Sequence, residues 1–523
     1  MATTHAPSTA AGSIRSLIPA RLDRLTWSKF HTRLVIALGV AWVLDGLEIT
    51  IAAAVGSDLT KTTTLHMSSG AVGDIASWYL IGEVIGAIVF GYFSDKLGRR
   101  NLFTITLGVY LIGSALTATA WSGSAGGSAW LYFTRVIAGA GIGGEYAAIN
   151  SAIDELIPAH YRGRVDIAVN GTYWAGSILG TLGSLVLLNH VADAWGWRIA
   201  FLIGPVLALI IIFVRKNLPE SPRWLVMHGR EREAEEQMDR IERWSGESGQ
   251  LEPLDDSKAI EVKPSEPFNP FNLVVLLFRR YPSRSTLGAT LMITQSFLYN
   301  AIFFTYTLVL TKIYGVNPKS APWYLLAFAA GNLIGPLTIG RLFDTWGRRT
   351  MISGTYILSG ILLAVSAELF REGHLSALTQ TIWWAVIFFF ASAGASAAYL
   401  TVSEIFPLEI RAQAIAIFFA IAQCFGFLGP HIYAHLIGNG NDHFKLFVAY
   451  LIGAAVMVVG GVVEIFLGVA AERRSLEEVA SPIGMVPRIP EFGSGGYGPR
   501  GPRGPRGPGS GRGDPTPPPY PAS

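Results

Sequence analysis

The sequence predicts an all-α integral membrane protein of twelve transmembrane helices, arranged as two six-helix, pseudo-symmetric halves. Three observations carry this. Half of the residues are hydrophobic and only 15% are charged, where a soluble protein holds about 25%, and the mean hydropathy is +0.40. The charges gather between apolar runs long enough for the roughly 20 residues that cross a bilayer. Two separate segments of the first half recur in the second at one constant offset. A net charge of +3 gives no reason to expect nucleic acid as a partner. The single cysteine, Cys424, excludes an intrachain disulfide and a cysteine metal site.

The first-half spans are read at 33–56, 71–93, 102–121, 129–152, 165–190 and 197–215. Those of the second half are read at 284–310, 321–343, 350–370, 379–402, 411–437 and 444–470. The first run, starting near Leu34, is long enough to span and does not read as a cleaved signal. Basic residues cluster on alternate sides: Arg15, Arg21, Arg24, Lys29 and Arg33 before the first span, then Lys96, Arg99, Arg100, Arg162, Arg164, Arg348, Arg349, Arg411, Arg473 and Arg474. The opposite loops hold little beyond Lys61, Lys312, Lys319 and Arg371. This bias predicts both termini in the cytoplasm of a cell carrying the protein in its inner or plasma membrane.

Five regions follow. Residues 1–32 are a cytoplasmic lead, 33–215 the first bundle, 216–283 a charged cytoplasmic loop, 284–470 the second bundle and 471–523 a disordered cytoplasmic tail. Within the loop, HGREREAEEQMDRIERW (228–244) is rich in helix formers and predicts a helix. The tail ends in a Gly/Pro/Arg-rich stretch that has no means of burying a core.

GYFSDKLGRRN begins at Gly91 and GRLFDTWGRRT at Gly340, an offset of 249. The same shift carries Glu155, Pro158 and Arg162 onto Glu404, Pro407 and Arg411. Such a repeat implies two halves related by an axis along the membrane normal, with a binding site between them. It also predicts a cytoplasmic gate built from Asp95, Gly98, Arg99, Arg100, Glu155 and Arg162 and from Asp344, Gly347, Arg348, Arg349, Glu404 and Arg411. Each glycine is expected to bend its loop tightly. Glu155 with Arg162, and Glu404 with Arg411, are the expected ion pairs.

These segments resemble the major facilitator superfamily. GYFSDKLGRR is similar to its loop signature between spans 2 and 3, and PESPRWL (219–225) to the sugar-porter-like branch. RVIAGAGIGGEY (135–146) and SEIFPLEIRAQA (403–414) resemble its span-4 and span-10/11 motifs. In TQSFLYNAIFFTY, Gln295 and Asn300 remain from the sugar-porter pattern of span 7, while its first glutamine and its tyrosine pair do not. WVLDGLEIT in span 1 and the GIGGEY run resemble proton-coupled aromatic-acid and metabolite symporters and the synaptic-vesicle-glycoprotein-like branch. The resemblance implies secondary transport, functional as a monomer and without catalysis.

Ionisable residues inside a span are costly and mark function. Asp45 and Glu48 share one face of span 1, Glu83 lies in span 2 and Glu145 in span 4; Arg135 is the one base among them. The acids are proton-coupling candidates, since a carboxyl buried among apolar groups can exchange a proton near neutral pH. Arg135 is a candidate anion contact. The offset repeats none of the five charges. That places coupling in the first half and neutral substrate contacts in the second, at Gln295, Asn300, Asn332, Tyr399 and Gln423, with Asn170, Tyr173 and Trp174 added from span 5. The span-4 glycines read as helix-packing surfaces. No phosphate-binding loop is present, so ATP does not drive the process.

The function expected is proton-coupled symport of a small organic metabolite, an organic or aromatic acid first. A sugar or polyol symporter, a cationic drug or metabolite exporter, and a non-transporting membrane sensor or scaffold are the alternatives. No metal and no cofactor beyond the proton gradient is expected.

Overall fold

In the computed structural model each long apolar run forms one helix or a helix broken once. The structure describes residues 14–481 and 483, except 60, 68, 122–124, 192, 216–218, 247–250, 252–253, 256–258, 263–268, 318–319 and 438–442. The first six spans are Lys29–Leu59, Ser69–Leu97, Arg99–Thr117, Ala125–Leu156, Ala159–Gly171 continued by Tyr173–His190, and Asp193–Arg215. The second six are Pro282–Lys312, Ala321–Ile339, Arg348–Arg371, Ala377–Glu404, Arg411–Gly426 continued by Leu428–Ile437, and His443–Leu467. Among the described residues, six helices are long and apolar enough on composition alone to cross a membrane. Trp195–Leu209 of span 6 and Arg411–Gly426 of span 11 are apolar but shorter. Spans 5 and 11 are the two interrupted ones, at Thr172 and Phe427.

The two halves pack alike. Span 4 lies against spans 2 and 3, and span 1 against span 5; in the second half span 10 lies against spans 8 and 9, and span 7 against span 11. The halves meet mainly where span 2 crosses span 11 and where span 5 crosses span 8. Glycine permits the closest approaches. A Cβ on Gly46 would lie 1.9 Å from the carbonyl oxygen of Tyr173, so span 1 touches span 5 backbone to backbone. On span 4, a Cβ on Gly139 or Gly143 would lie 2.1 Å from the carbonyl of Tyr79 or Glu83 in span 2. Small residues at such crossings let transmembrane helices approach without side chains between them.

The repeated loops turn at the same residue. Gly98 and Gly347 have φ of 82° and 95°, a region that residues with a Cβ rarely occupy, and each starts the helix that follows.

Outside the spans, Glu231–Gly246 is the helix expected in the central loop, and it buries Ala234, Met238 and Ile241 along one stripe. Arg21, from the short helix Ile18–Asp23, reaches across to it and pairs with Glu235 at 2.5 Å and with Asp239 and Glu242 at 2.6 Å. Ile14–Ser16 and Ile260–Val262 form an antiparallel strand pair that periodicity did not predict. The expectation of a disordered tail from residue 471 is corrected at its start. Leu476–Val479 is a helical turn capped by Ser475, and Glu477 is buried 3.2 Å from Arg223. An apolar face and an ion pair hold a segment that composition alone marked as polar. The Gly/Pro/Arg-rich stretch lies outside the described residues.

Candidate functional site: a cleft between the halves and a charged seal

Between the halves lies a cleft enclosing about 740 Å³, open solvent included. Its walls are rings and amides. Trp42, Tyr146, Tyr173 and Trp174 come from the first half and Tyr299, Phe303 and Tyr399 from the second. Asn170, Gln295, Asn300 and Gln423 supply the amides, and Glu83 is the one ionisable side chain among the described lining residues apart from the tyrosines. Seven substrate-contact candidates therefore converge here, Asn170, Tyr173, Trp174, Gln295, Asn300, Tyr399 and Gln423, together with the proton-coupling candidate Glu83. Asn332 is buried one step behind the wall, where its amide oxygen accepts a hydrogen bond from Tyr299 at 3.0 Å.

The rings are interlocked across the halves. Tyr146 stacks on Phe419 with centroids 4.1 Å apart and on Tyr399 at 5.9 Å, and Trp42 meets Tyr146 edge-on at 4.4 Å. Trp174 contacts Tyr299, Phe303 and Phe328 at 5.5–5.8 Å. Sequence reading missed Trp42, Tyr146, Tyr299 and Phe303. Trp42 was within reach, since it precedes Asp45 by one helical turn, and Tyr146 closes the GIGGEY run.

The buried acids divide into two settings. Glu48 is held by Arg135 at 2.5 Å, by Ser114 at 2.8 Å and by Tyr110 at 3.0 Å. The Arg135 guanidinium is sandwiched near the rings of Tyr79 and Phe201, 4.8 and 5.1 Å from their centroids. Arg135 is thus not among the cleft residues: the anion contact expected there is instead an ion pair with Glu48, because both groups face the interior of the first bundle. Asp45 lies behind Tyr146, accepting from its hydroxyl at 2.5 Å and from Tyr79 at 3.2 Å. Together with Glu145 it lines a smaller pocket of about 180 Å³, open solvent included, and Trp42 and Tyr146 wall both. Glu83 faces the cleft and bonds Gln423 of the other half.

At the end carrying the repeated loops, the halves are joined by buried charge. Glu404 takes Arg162 from the opposite half at 3.3 Å and is also ion-paired with Arg348. Asp344 accepts the backbone N–H of Arg164 across the halves at 2.8 Å and lies 3.4 Å from Arg348. Asp23 bridges Arg162 at 3.6 Å and Arg223 at 3.1 Å, and Arg223 also donates to the carbonyls of Asp154 and Glu155. The expected Glu404–Arg411 pair is replaced. Arg411 turns back onto the Phe406 carbonyl at 3.1 Å, and the cross-half Arg162 takes its place. Arg349 donates to the Ile465 carbonyl, and the exposed Arg100 presents its backbone N–H to Glu220 at 3.3 Å. The side chains of Asp95 and Arg99 lie outside the described residues. The sequence had singled out neither Asp23 nor Arg223, although Arg223 sits inside PESPRWL.

Residues 46–481 match the family described as sugar (and other) transporter. Among curated proteins the chain is similar to the niacin transporter NiaP of Acinetobacter baylyi, 28% identical over 88% of this chain and 99% of that one. It is also similar to the inner membrane metabolite transport protein YgcS of Escherichia coli, 25% identical over 85% and 93%. Among solved structures, the proton:xylose symporter XylE bound to 6-bromo-6-deoxy-D-glucose superposes with a TM-score of 0.72 at 19% identity, covering 86% of this chain and 98% of that one.

Proposed function

This chain belongs to the sugar (and other) transporter family, a major facilitator transporter by fold, and we propose that within it the protein is a proton-coupled symporter of a small aromatic acid. The observation that carries the reading is the cleft itself. Its rings offer flat faces from both halves, and its amides offer donors that a carboxylate accepts from without a buried counter-charge. The A. baylyi relative named for niacin has a substrate of that shape.

In this reading the end bearing the repeated loops faces the cytoplasm, as its basic residues suggest, and the Arg162–Glu404–Arg348 cluster closes it while the cleft loads from the other side. Asp45 is the proton site. Its described donors are two tyrosine hydroxyls, which tolerate a carboxylate that gains a proton, whereas Glu48 is committed to Arg135. Protonating Asp45 leaves one carbonyl acceptor for two tyrosine hydroxyls and so loosens its hold on Tyr146. That ring packs on Phe419 and Tyr399, so the change reaches the second half through one side chain.

Uptake into proteoliposomes, with and without an inward-directed pH gradient, tests this. The panel is pyridine-3-carboxylate, benzoate, D-xylose and a lipophilic cation. Gradient-driven accumulation of an aromatic acid is expected. Accumulation of xylose alone would favour the sugar reading that Gln295 and Asn300 also allow, and indifference to the gradient would remove the coupling.

A further inference from the structure

Glu83 is a buried acid that takes part in neither the seal nor the proton site, and it alone of the described acids lines the cleft. It is fully buried, yet it forms part of the cleft wall. One carboxyl oxygen accepts from the Gln423 amide across the halves. The other, Oε1, is enclosed and has no hydrogen-bond partner among the described residues. Its position is built from behind and in front. Gly143 brings span 4 directly onto the Glu83 backbone, and the Gln423 carbonyl is fixed by the Ser296 hydroxyl at 2.8 Å, so the amide turns its N–H toward the acid. The offset of 249 carries Glu83 onto Asn332 and Trp174 onto Gln423, so the matching crossing of spans 5 and 8 pairs an amide position with a ring instead. The acid is present on one side only.

An enclosed acceptor without a donor is costly, and such atoms in native proteins usually meet a partner in the functional state. The partner has to be a group that donates to Oε1 or shares a proton with it, carried by something flat, since the surrounding wall is aromatic. We infer that Glu83 reads the ring nitrogen of a heteroaromatic acid, with Oε1 and that nitrogen sharing one proton. A carboxyl suits this task in either state. As the acid it donates to a neutral ring nitrogen, and as the carboxylate it accepts from a protonated one. Glu83 is then the specificity-determining residue that separates a pyridine-type acid from its carbocyclic analogue. That analogue has the same shape and charge but leaves Oε1 unmet. The inference rests on the aromatic-acid reading above and narrows it.

The test is equilibrium binding to the purified full-length chain, followed by quenching of Trp42 and Trp174 fluorescence, with pyridine-3-carboxylate, benzoate and D-xylose as probes. The wild type is expected to bind pyridine-3-carboxylate about tenfold more tightly than benzoate. Glu83→Met keeps the side-chain length without polar atoms and should bring the pyridine acid down to the benzoate level. Glu83→Gln keeps an N–H donor and should retain part of the preference. Equal binding of the two acids by the wild type, or a preference that survives Glu83→Met, overturns the inference and leaves the aromatic-acid reading standing. Binding of xylose and of neither acid removes both.

Discussion

The seal and the cleft are both places where the two halves touch, and they touch in opposite ways. At the seal the repeat is visible in the contact: Glu404, Arg162 and Arg348 all belong to motifs that occur twice, and they meet as full charges with almost no exposure. At the cleft the halves meet through rings and amides that the repeat does not duplicate, such as Tyr146 on Phe419 and Glu83 on Gln423. A charged contact drawn from the repeated motifs, with Glu404 of one half on Arg162 of the other, suits an element proposed to open and reclose. An asymmetric contact of rings, amides and one acid suits recognition of a molecule that has no symmetry of its own.

The largest effect is expected at the seal. Breaking a buried ion pair by removing one partner costs about 3–5 kcal/mol, so Glu404→Gln, which leaves Arg162 only Asp23 and Arg348 only Asp344 as described ion-pair partners, should shift the population toward opening at that end by about a hundredfold. In a Cys424→Ser background, labelling of a Ser392→Cys cleft reporter by an impermeant thiol reagent from the seal side measures this. An unchanged rate would break the assignment of the seal as a gate. Next comes the packing that aligns the cleft. Gly46→Ala places a Cβ against the Tyr173 carbonyl and should destabilise by about 1–3 kcal/mol. It should also weaken ligand binding, because Tyr173 lines the wall; a thermal melt with and without pyridine-3-carboxylate reads both.

Asp45→Asn sharpens the contrast between coupling and recognition. A pH gradient of one unit coupled one to one sustains about tenfold accumulation. The variant should lose that accumulation while still exchanging substrate across the membrane, and gradient-driven uptake at the wild-type level would remove Asp45 from the mechanism.

The smallest effect lies at the edge of the seal. Arg21→Ala removes three carboxylate contacts at a partly exposed site, worth about 1 kcal/mol. Burial pushes the Glu242 carboxyl up, but hydrogen bonds from Arg21 and Arg24 more than offset this and hold it below its ordinary value. A carboxyl held low contributes stability above its unfolded value of about 4.3, and loses it as pH falls through the folded one. The difference in melting temperature between Arg21→Ala and wild type should therefore be full at pH 7 and shrink in acid.

The spans, the repeat and the glycine turns were legible because each is local: a run of apolar residues, a recurring string, a residue without a Cβ. The cleft amides were legible for a related reason, since polar side chains inside apolar runs stand out. Partnerships were harder. Glu404 was matched to Arg411 along the chain, yet it pairs with Arg162, because the rotation and approach of two bundles decide which arginine arrives first. Arg135 looked like a free base in a span and proved committed to Glu48, three helices' packing away from anything the spacing records. Aromatic residues such as Tyr299 and Phe303 carried no signal, since rings in a span serve packing and ligand contact alike.

The strand pair near the seal bears on how the bundles stay acquainted. The chain leaves the first bundle at Arg215 and enters the second at Pro282, a connection long enough to let them drift as two loosely leashed bodies. Val262, however, is stitched to Ile14 in the lead of the first bundle. The connection is thereby pinned at residue 262 to the first bundle's lead, and the helix Pro270–Arg280 that follows packs against spans 7 and 11 of the second. A short leash raises the local concentration of one bundle at the surface of the other. If the seal opens as proposed, its charged faces should therefore meet again with little search.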